Sequence, residues 1–216
     1  MIRAVCFDFD GTLAHFSGDF EALTDTLRHD LGLAQCDANS LSWRRAQIER
    51  RGGPMTFGDT VRAALGELEL RVPDDLERLA AQVVSDYSAQ IRLLPGAREL
   101  LAFCRDKGKP LALITNGPAD MQRAAVRVVG LETFFQRILV SGDVDVGVRK
   151  PHPRIFAHAC AALGTRPEDT LMVGDNPEAD LGGARVAGMQ AVGIGTDATD
   201  SVPDLYALEA WLGARL

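Results

Sequence analysis

Short apolar runs rich in Val, Ile and Leu recur along the chain and stop abruptly at polar residues or glycine. They cover residues 2–7, 111–114, 137–140, 170–173 and 190–194. Their hydrophobicity is continuous rather than alternating, which is the pattern of parallel strands covered on both faces. Between them, residues 97–107, 119–130, 154–163 and 180–188 repeat apolar side chains at helical spacing. Gly108, Gly130, Gly164 and Gly188 stand at or just beyond the ends of these segments, where helices stop. Strand and helix in alternation predict an α/β fold built on a doubly wound, Rossmann-like parallel sheet.

Residues 16–91 break the alternation. No strand pattern is found there, only helical patterns at 20–31, 41–50, 56–68 and 73–91. Pro73, Asp74 and Asp75 suit the start of the last one, because proline needs no amide partner there and acidic groups favour the positive end of the helix dipole. So many helices make a poor simple crossover between the first strand and the next helix–strand unit, so a separate helical insert is predicted.

Composition narrows the class. A chain of 216 residues can hold one ordinary domain, or a core with a smaller insert. Its 46% apolar and 25% charged residues exclude a disordered or fibrous chain. A net charge of -7 argues against a general nucleic-acid or anionic-membrane surface, although one local positive pocket is enough to bind a phosphate. No apolar run is long enough to span a bilayer, and Asp8 and Asp10 interrupt the N-terminus before a signal-peptide core could form. Cys6, Cys36, Cys104 and Cys160 lie far apart with no CxxC pair, as reduced thiols do. The expectation is a soluble cytoplasmic protein.

In an open α/β sheet, ligands bind beyond the carboxyl ends of the strands. There the sequence places Asp8-Phe9-Asp10-Gly11-Thr12, Thr115-Asn116-Gly117, Lys150 directly before Pro151, and Gly174-Asp175-Asn176-Pro177-Glu178-Ala179-Asp180. Alone, an Asp-x-Asp-Gly stretch also suits a turn and a lysine a solvated surface. Together, in order and at strand ends, these segments resemble the phosphatase branch of the haloacid dehalogenase (HAD-like) superfamily, over nearly the whole chain.

That resemblance implies an α/β core of residues 1–14 and 92–216 and an α-helical cap domain of residues 15–91. The cap would close over the site, exclude water and select the leaving group. Asp8 would be the nucleophile, forming an aspartyl phosphate, and Asp10 the general acid and base. Asp8 and Asp175 would repel each other unless a hard cation sat between them. The implied cofactor is Mg2+, held by Asp8, Asp175 and the backbone carbonyl of Asp10. Asp180 would act through a bound water or by holding its neighbours, or it would only complement the dipole of the helix that follows. Thr115, Asn116 and Lys150 would bind the substrate phosphate, with Asn116 and Gly117 also shaping the loop.

The implied activity is hydrolysis of a small phosphomonoester, a sugar, nucleotide or organic-acid phosphate, by a monomer or homodimer. Thr115-Asn116-Gly117 with Gln122 points towards the nucleotide and sugar-acid monophosphatases. A haloacid dehalogenase on the same fold needs neither metal nor the second carboxylate, so Asp10 and the acidic loop favour phosphoryl chemistry. A sugar-phosphate mutase would yield an isomer instead of free phosphate, and a non-catalytic binding protein would bind without turnover. His15 and Phe16 read as linker residues. Arg44, Arg45, Arg50 and Arg51 read as a solvated helix face rather than an anion trap, and Trp43 as core rather than a substrate platform.

Overall fold

A computed structural model describes the backbone of every residue except Ala34, and all side chains except those of Phe20, Glu21, Thr24 and residues 34–38. Strands β1 (Ala4–Phe7), β4 (Leu111–Thr115), β5 (Arg137–Val140), β6 (Thr170–Gly174), β7 (Gln190–Ile194) and β8 (Ser201–Val202) form one parallel sheet in the order β5-β4-β1-β6-β7-β8. Successive residues of each strand point to opposite faces, and both faces are dry. Val5, Phe7, Leu111, Leu113, Leu171 and Val173 pack into one apolar cluster, and Ala4, Cys6, Ala112, Ile114 and Met172 into another. The continuous apolar runs reflect this two-sided burial.

Helices cover each face. Leu100 and Leu101 of α5 (Ala97–Asp106), Met121 and Ala125 of α6 (Ala119–Val128), and Leu208 and Leu212 of α9 (Leu205–Gly213) fill the first cluster. Ile155, Phe156 and Ala159 of α7 (Pro153–Leu163), with Ala184 of α8 (Gly183–Val186), fill the second. The sheet is therefore doubly wound, as the alternation predicts.

Between β1 and α5 lie α1 (Phe20–Asp30), α2 (Gln35–Arg51), α3 (Phe57–Glu67) and α4 (Leu76–Ser88). Their inner faces, including Phe57, Val61, Leu65, Leu79 and Val83, join the first cluster. Thr56 caps α3 reciprocally with Asp59, each satisfying a backbone amide of the other. The turn before α3 is tied to the core, since Met55 N–H donates to Gly142 O, Ala119 N–H to Met55 O, and Phe57 N–H to Asp120 Oδ1.

The insert also departs from the sequence reading. Two short strands, β2 (Ala14–Phe16) and β3 (Ile91–Leu93), pair antiparallel where the chain leaves and re-enters the core, and the last insert helix spans only Leu76–Ser88. Three-residue strands are too short to show a period, and Arg92 breaks the apolar run. The segment read as a helix over 180–188 is a π-helical turn, Pro177–Gly182, followed by α8.

Candidate active site

Parallel strands put their carboxyl ends on one edge of the sheet, and β1 lies where the winding reverses, between β4 and β6. The register is level: Phe7 is paired with Leu113 on one side and Val173 on the other. Asp8, Thr115 and Asp175 therefore emerge side by side from the ends of adjacent strands. The Asp8 N–H still donates to Val173 O at 2.9 Å, which anchors the start of the loop.

Glycine lets the loops close together. Gly11 has φ +79°, and a Cβ there would stand 2.3 Å from Asp175 Oδ2. At Gly174 a Cβ would stand 2.3 Å from Asp180 Oδ2. Only hydrogen fits at either position. Asn176 starts the π-helical turn by accepting from the N–H groups of Glu178 and Ala179, and its own N–H donates to Asp180 Oδ2 at 3.0 Å. Asp180 is thereby swung back towards β1.

At the centre, the buried Lys150 ammonium donates to Asp8 Oδ1 at 2.5 Å and lies 2.6 Å from Asp180 Oδ1, the latter an ion pair outside hydrogen-bond angles. Burial pulls the lysine towards its neutral form, but Asp8 and Asp180 together raise its pKa above the ordinary value, so it stays charged. Burial pushes the Asp8 carboxyl up, opposed by the Lys150 charge. Asp180 is raised for the same reason against the same opposition, and Asp175 is raised by burial and then by the charge of Asp180. Thr12 Oγ1 stands 3.3 Å from Asp8 Oδ2 and 3.5 Å from Asp175 Oδ1, so those two oxygens face a common point.

Carboxylate oxygens of Asp8, Asp175 and Asp180 lie within 4.8 Å of one another. Lys150 neutralises only part of this charge. An all-oxygen, anionic donor set with raised proton affinity fits a hard divalent cation.

Asp10 is held by other groups. Gln122 Nε2 of α6 donates to its Oδ2 at 3.0 Å, and Tyr87 Oη of α4 donates to its Oδ1 at 3.4 Å. Its pKa rises to about 6, first from burial and then from the Asp8 charge, while both donors pull the other way. Thr115 Oγ1 donates to Gln122 Oε1 at 3.2 Å, so one amide links the end of β4 to Asp10. Asn116 is committed to Lys150: its Nδ2 donates to Lys150 O at 3.0 Å and its Oδ1 accepts from Lys150 N–H at 2.9 Å. That double clamp fixes the lysine backbone and leaves the Asn116 side chain with a positioning task.

Asp8, Asp10, Thr115, Asn116, Lys150, Asp175 and Asp180 all line one cavity of about 1010 Å³. The profile of the haloacid dehalogenase-like hydrolases matches residues 2–188. The chain belongs to that family.

This HAD-like hydrolase is 44% identical over 117 residues to the phosphoserine phosphatase of Thermus thermophilus, a match spanning 52% of the chain and 46% of that relative. It is 30% identical over 212 residues to the phosphoglycolate phosphatase of Nitrosococcus oceani, covering 93% of the chain and 89% of the relative. Among solved structures, a HAD phosphatase from Thermococcus onnurineus superposes with a TM-score of 0.71 at 26% identity, over 98% of each chain.

Some neighbours of the site in this hydrolase were not legible as such. Tyr87 is an isolated tyrosine in an insert helix, and nothing in its surroundings marks it. Thr12 lies inside the Asp8–Thr12 run and could have been picked out from that position. Arg149 stands next to Lys150 but carries no motif of its own. Phe16, read as linker, stacks on Tyr87 with ring centroids 5.0 Å apart, while His15 is exposed. Trp43 corrects the expectation of a core residue. It is 57% exposed, with the Arg44 guanidinium 5.0 Å from its ring centroid. Cys6, Cys104 and Cys160 are free and buried, while the Cys36 side chain lies outside the described residues. Among the described residues, no helix is long and apolar enough to cross a membrane.

Proposed function

We propose that this hydrolase is a magnesium-dependent phosphatase that cleaves a small phosphomonoester through an aspartyl phosphate on Asp8. The observation that carries the reading is the buried Asp8 carboxylate, paired with Lys150 on the floor of the cavity, with Asp10 held beside it by separate donors. The phosphatase relatives support the same reaction class. On this reading the four-helix insert, residues 15–91, acts as a cap over a core of residues 1–14 and 92–216, and the buried, unpaired thiols support a reducing, cytoplasmic setting.

Phosphoryl transfer needs positioning and charge stabilisation more than covalent machinery. An Asp8 oxygen attacks phosphorus as the ester P–O bond breaks. Asp10, protonated in part near neutrality, gives its proton to the departing alkoxide. A water molecule then attacks the acyl phosphate, Asp10 takes its proton, and the Asp8 carboxylate is restored with inorganic phosphate released. Lys150 offers a fixed positive charge to the phosphoryl oxygens, and Thr115 with the Asn116 backbone adds donors at the turn into α6. Asp8, Asp175 and the Asp10 carbonyl would hold the magnesium ion, with Asp180 keeping Lys150 and the loop in place. When bound, the ion would offset the carboxylate charge so that an anionic phosphate can enter.

The test is a panel of phosphomonoesters assayed for phosphate release with magnesium, for the wild type and Asp8→Asn. Turnover in the wild type that is lost in a folded Asp8→Asn protein is expected. Halide release from a chloro-acid without phosphatase activity, or near-normal turnover by the variant, would overturn the assignment.

A further inference from the structure

We propose that Arg50 and Arg149 form a second anion subsite in the cavity, so that the preferred substrate is a phosphomonoester carrying a second anionic group, a carboxylate or a further phosphate. This rests on the phosphatase reading of the same cavity.

The four arginines of α2 look alike in sequence, but the structure sorts them. Arg44 and Arg51 reach Glu67 at 3.6 and 2.6 Å, and Arg45 pairs with Glu49 on the next helical turn. Arg50 makes no ion pair among the described residues, and it is the one that lines the cavity holding Asp8 and Lys150. Arg149, from the core, lines the same cavity. Its Nη1 donates to the Glu49 backbone carbonyl, a neutral partner that orients the guanidinium without cancelling its charge.

The Lys150 ammonium is already engaged by Asp8 and Asp180. Among the described residues, the two arginines are therefore the cavity cations with no carboxylate in ion-pair contact. Glu178 lines the cavity too, but it forms no ion pair with either arginine among the described residues. Arg149 is half-buried. Burial pulls its pKa down, the Glu49 charge opposes this, and the nearby Arg50 charge adds a smaller downward pull. Arg50 sets a second positive charge near a half-buried guanidinium, and an anion bound between the two would offset both their repulsion and the burial of Arg149. Guanidinium groups match both carboxylate and phosphate in paired hydrogen bonds. One arginine comes from the insert and the other from the core, so a ligand tail held by both would draw the two parts together.

The experiment measures kcat/KM with magnesium for matched pairs. Phosphoglycolate is set against ethyl phosphate for the carboxylate source, and fructose bisphosphate against fructose monophosphate for the phosphate source. The ratio within at least one pair is expected to favour the doubly anionic ester. Arg50→Gln, at an exposed position, is expected to lower that ratio about 10- to 100-fold, chiefly through KM, the worth of one charge-assisted hydrogen bond. Arg149→Lys keeps the charge but not the fork, and is expected to lower it less than Arg149→Gln. Turnover of all four esters with ratios near unity, or ratios unmoved by Arg50→Gln, would overturn the subsite and leave the phosphatase reading standing. No phosphate release from any of the four, or from p-nitrophenyl phosphate, would overturn both.

Discussion

Replacing Lys150 with methionine keeps most of the side-chain volume and removes one charge. The ammonium lies 2.5 Å from Asp8 Oδ1 and 2.6 Å from Asp180 Oδ1, and all three side chains are at most 8% exposed. Methionine therefore strands two buried carboxylates without their countercharge. Breaking a buried ion pair from one side costs about 3–5 kcal/mol, a large share of the roughly 5–15 kcal/mol that holds a domain folded.

The pH dependence has a definite sign. Burial already raises Asp8 and Asp180 in the folded state, and the lysine opposes that rise. Without the lysine both rise further. A carboxyl whose folded pKa lies above its unfolded value adds stability at low pH and loses it as pH climbs through the folded pKa. The deficit of Lys150→Met should thus be greatest near neutrality and shrink on acidification towards the ordinary carboxylate range, by up to about 1.4 kcal/mol per pH unit for each extra proton bound.

Urea denaturation in EDTA, at about pH 7 and about pH 5, measures both effects. Adding Asp8→Asn to the methionine variant removes one stranded charge and should restore part of the loss at the higher pH. A variant within about 0.5 kcal/mol of wild type at both pH values would refute the picture of a buried, lysine-neutralised acidic centre.

Chelation by EDTA should stop phosphate release and added magnesium should restore it; rates indifferent to both would remove the metal from the reaction. Gly11→Ala forces a non-glycine residue to φ +79° and sets a methyl group 2.3 Å from Asp175 Oδ2. Its strain should cost about 1–2 kcal/mol in a melt, and the displaced carboxylate should lower kcat by well over tenfold. Leu100→Ala hollows the fully buried inner face of α5. It should cost about 2–5 kcal/mol with kcat in the surviving folded fraction little changed; a selective loss of kcat would argue that the core and the site are coupled.

The parallel sheet was readable because its strands are buried on both faces, which leaves unbroken apolar runs. The loop chemistry was readable because Asp8 and Asp10, Thr115 to Gly117, and Asp175 to Asp180 are each contiguous in the chain. Partners brought together by packing were not. Nothing near Tyr87 announces a hydrogen bond to Asp10, a residue 77 positions away, and the Asn116 side chain gives no sign that both its ends are taken by the Lys150 backbone. The paired strands flanking the insert and the two-residue β8 are too short to carry a period, and the π-helical turn at 177–182 follows the local bonds of Asn176 rather than a hydrophobic repeat.

Local pattern thus determined the class of fold, the alternation of its main strands and helices and which acidic loops end its central strands. Long-range packing decided which oxygen meets which donor, which arginine of four similar neighbours turns into the cavity, and that Trp43 lies on the surface. The physical reason is range. Backbone preference and hydrophobic period act over a few residues, whereas charge neutralisation and burial depend on groups that only the folded chain brings within a few ångströms.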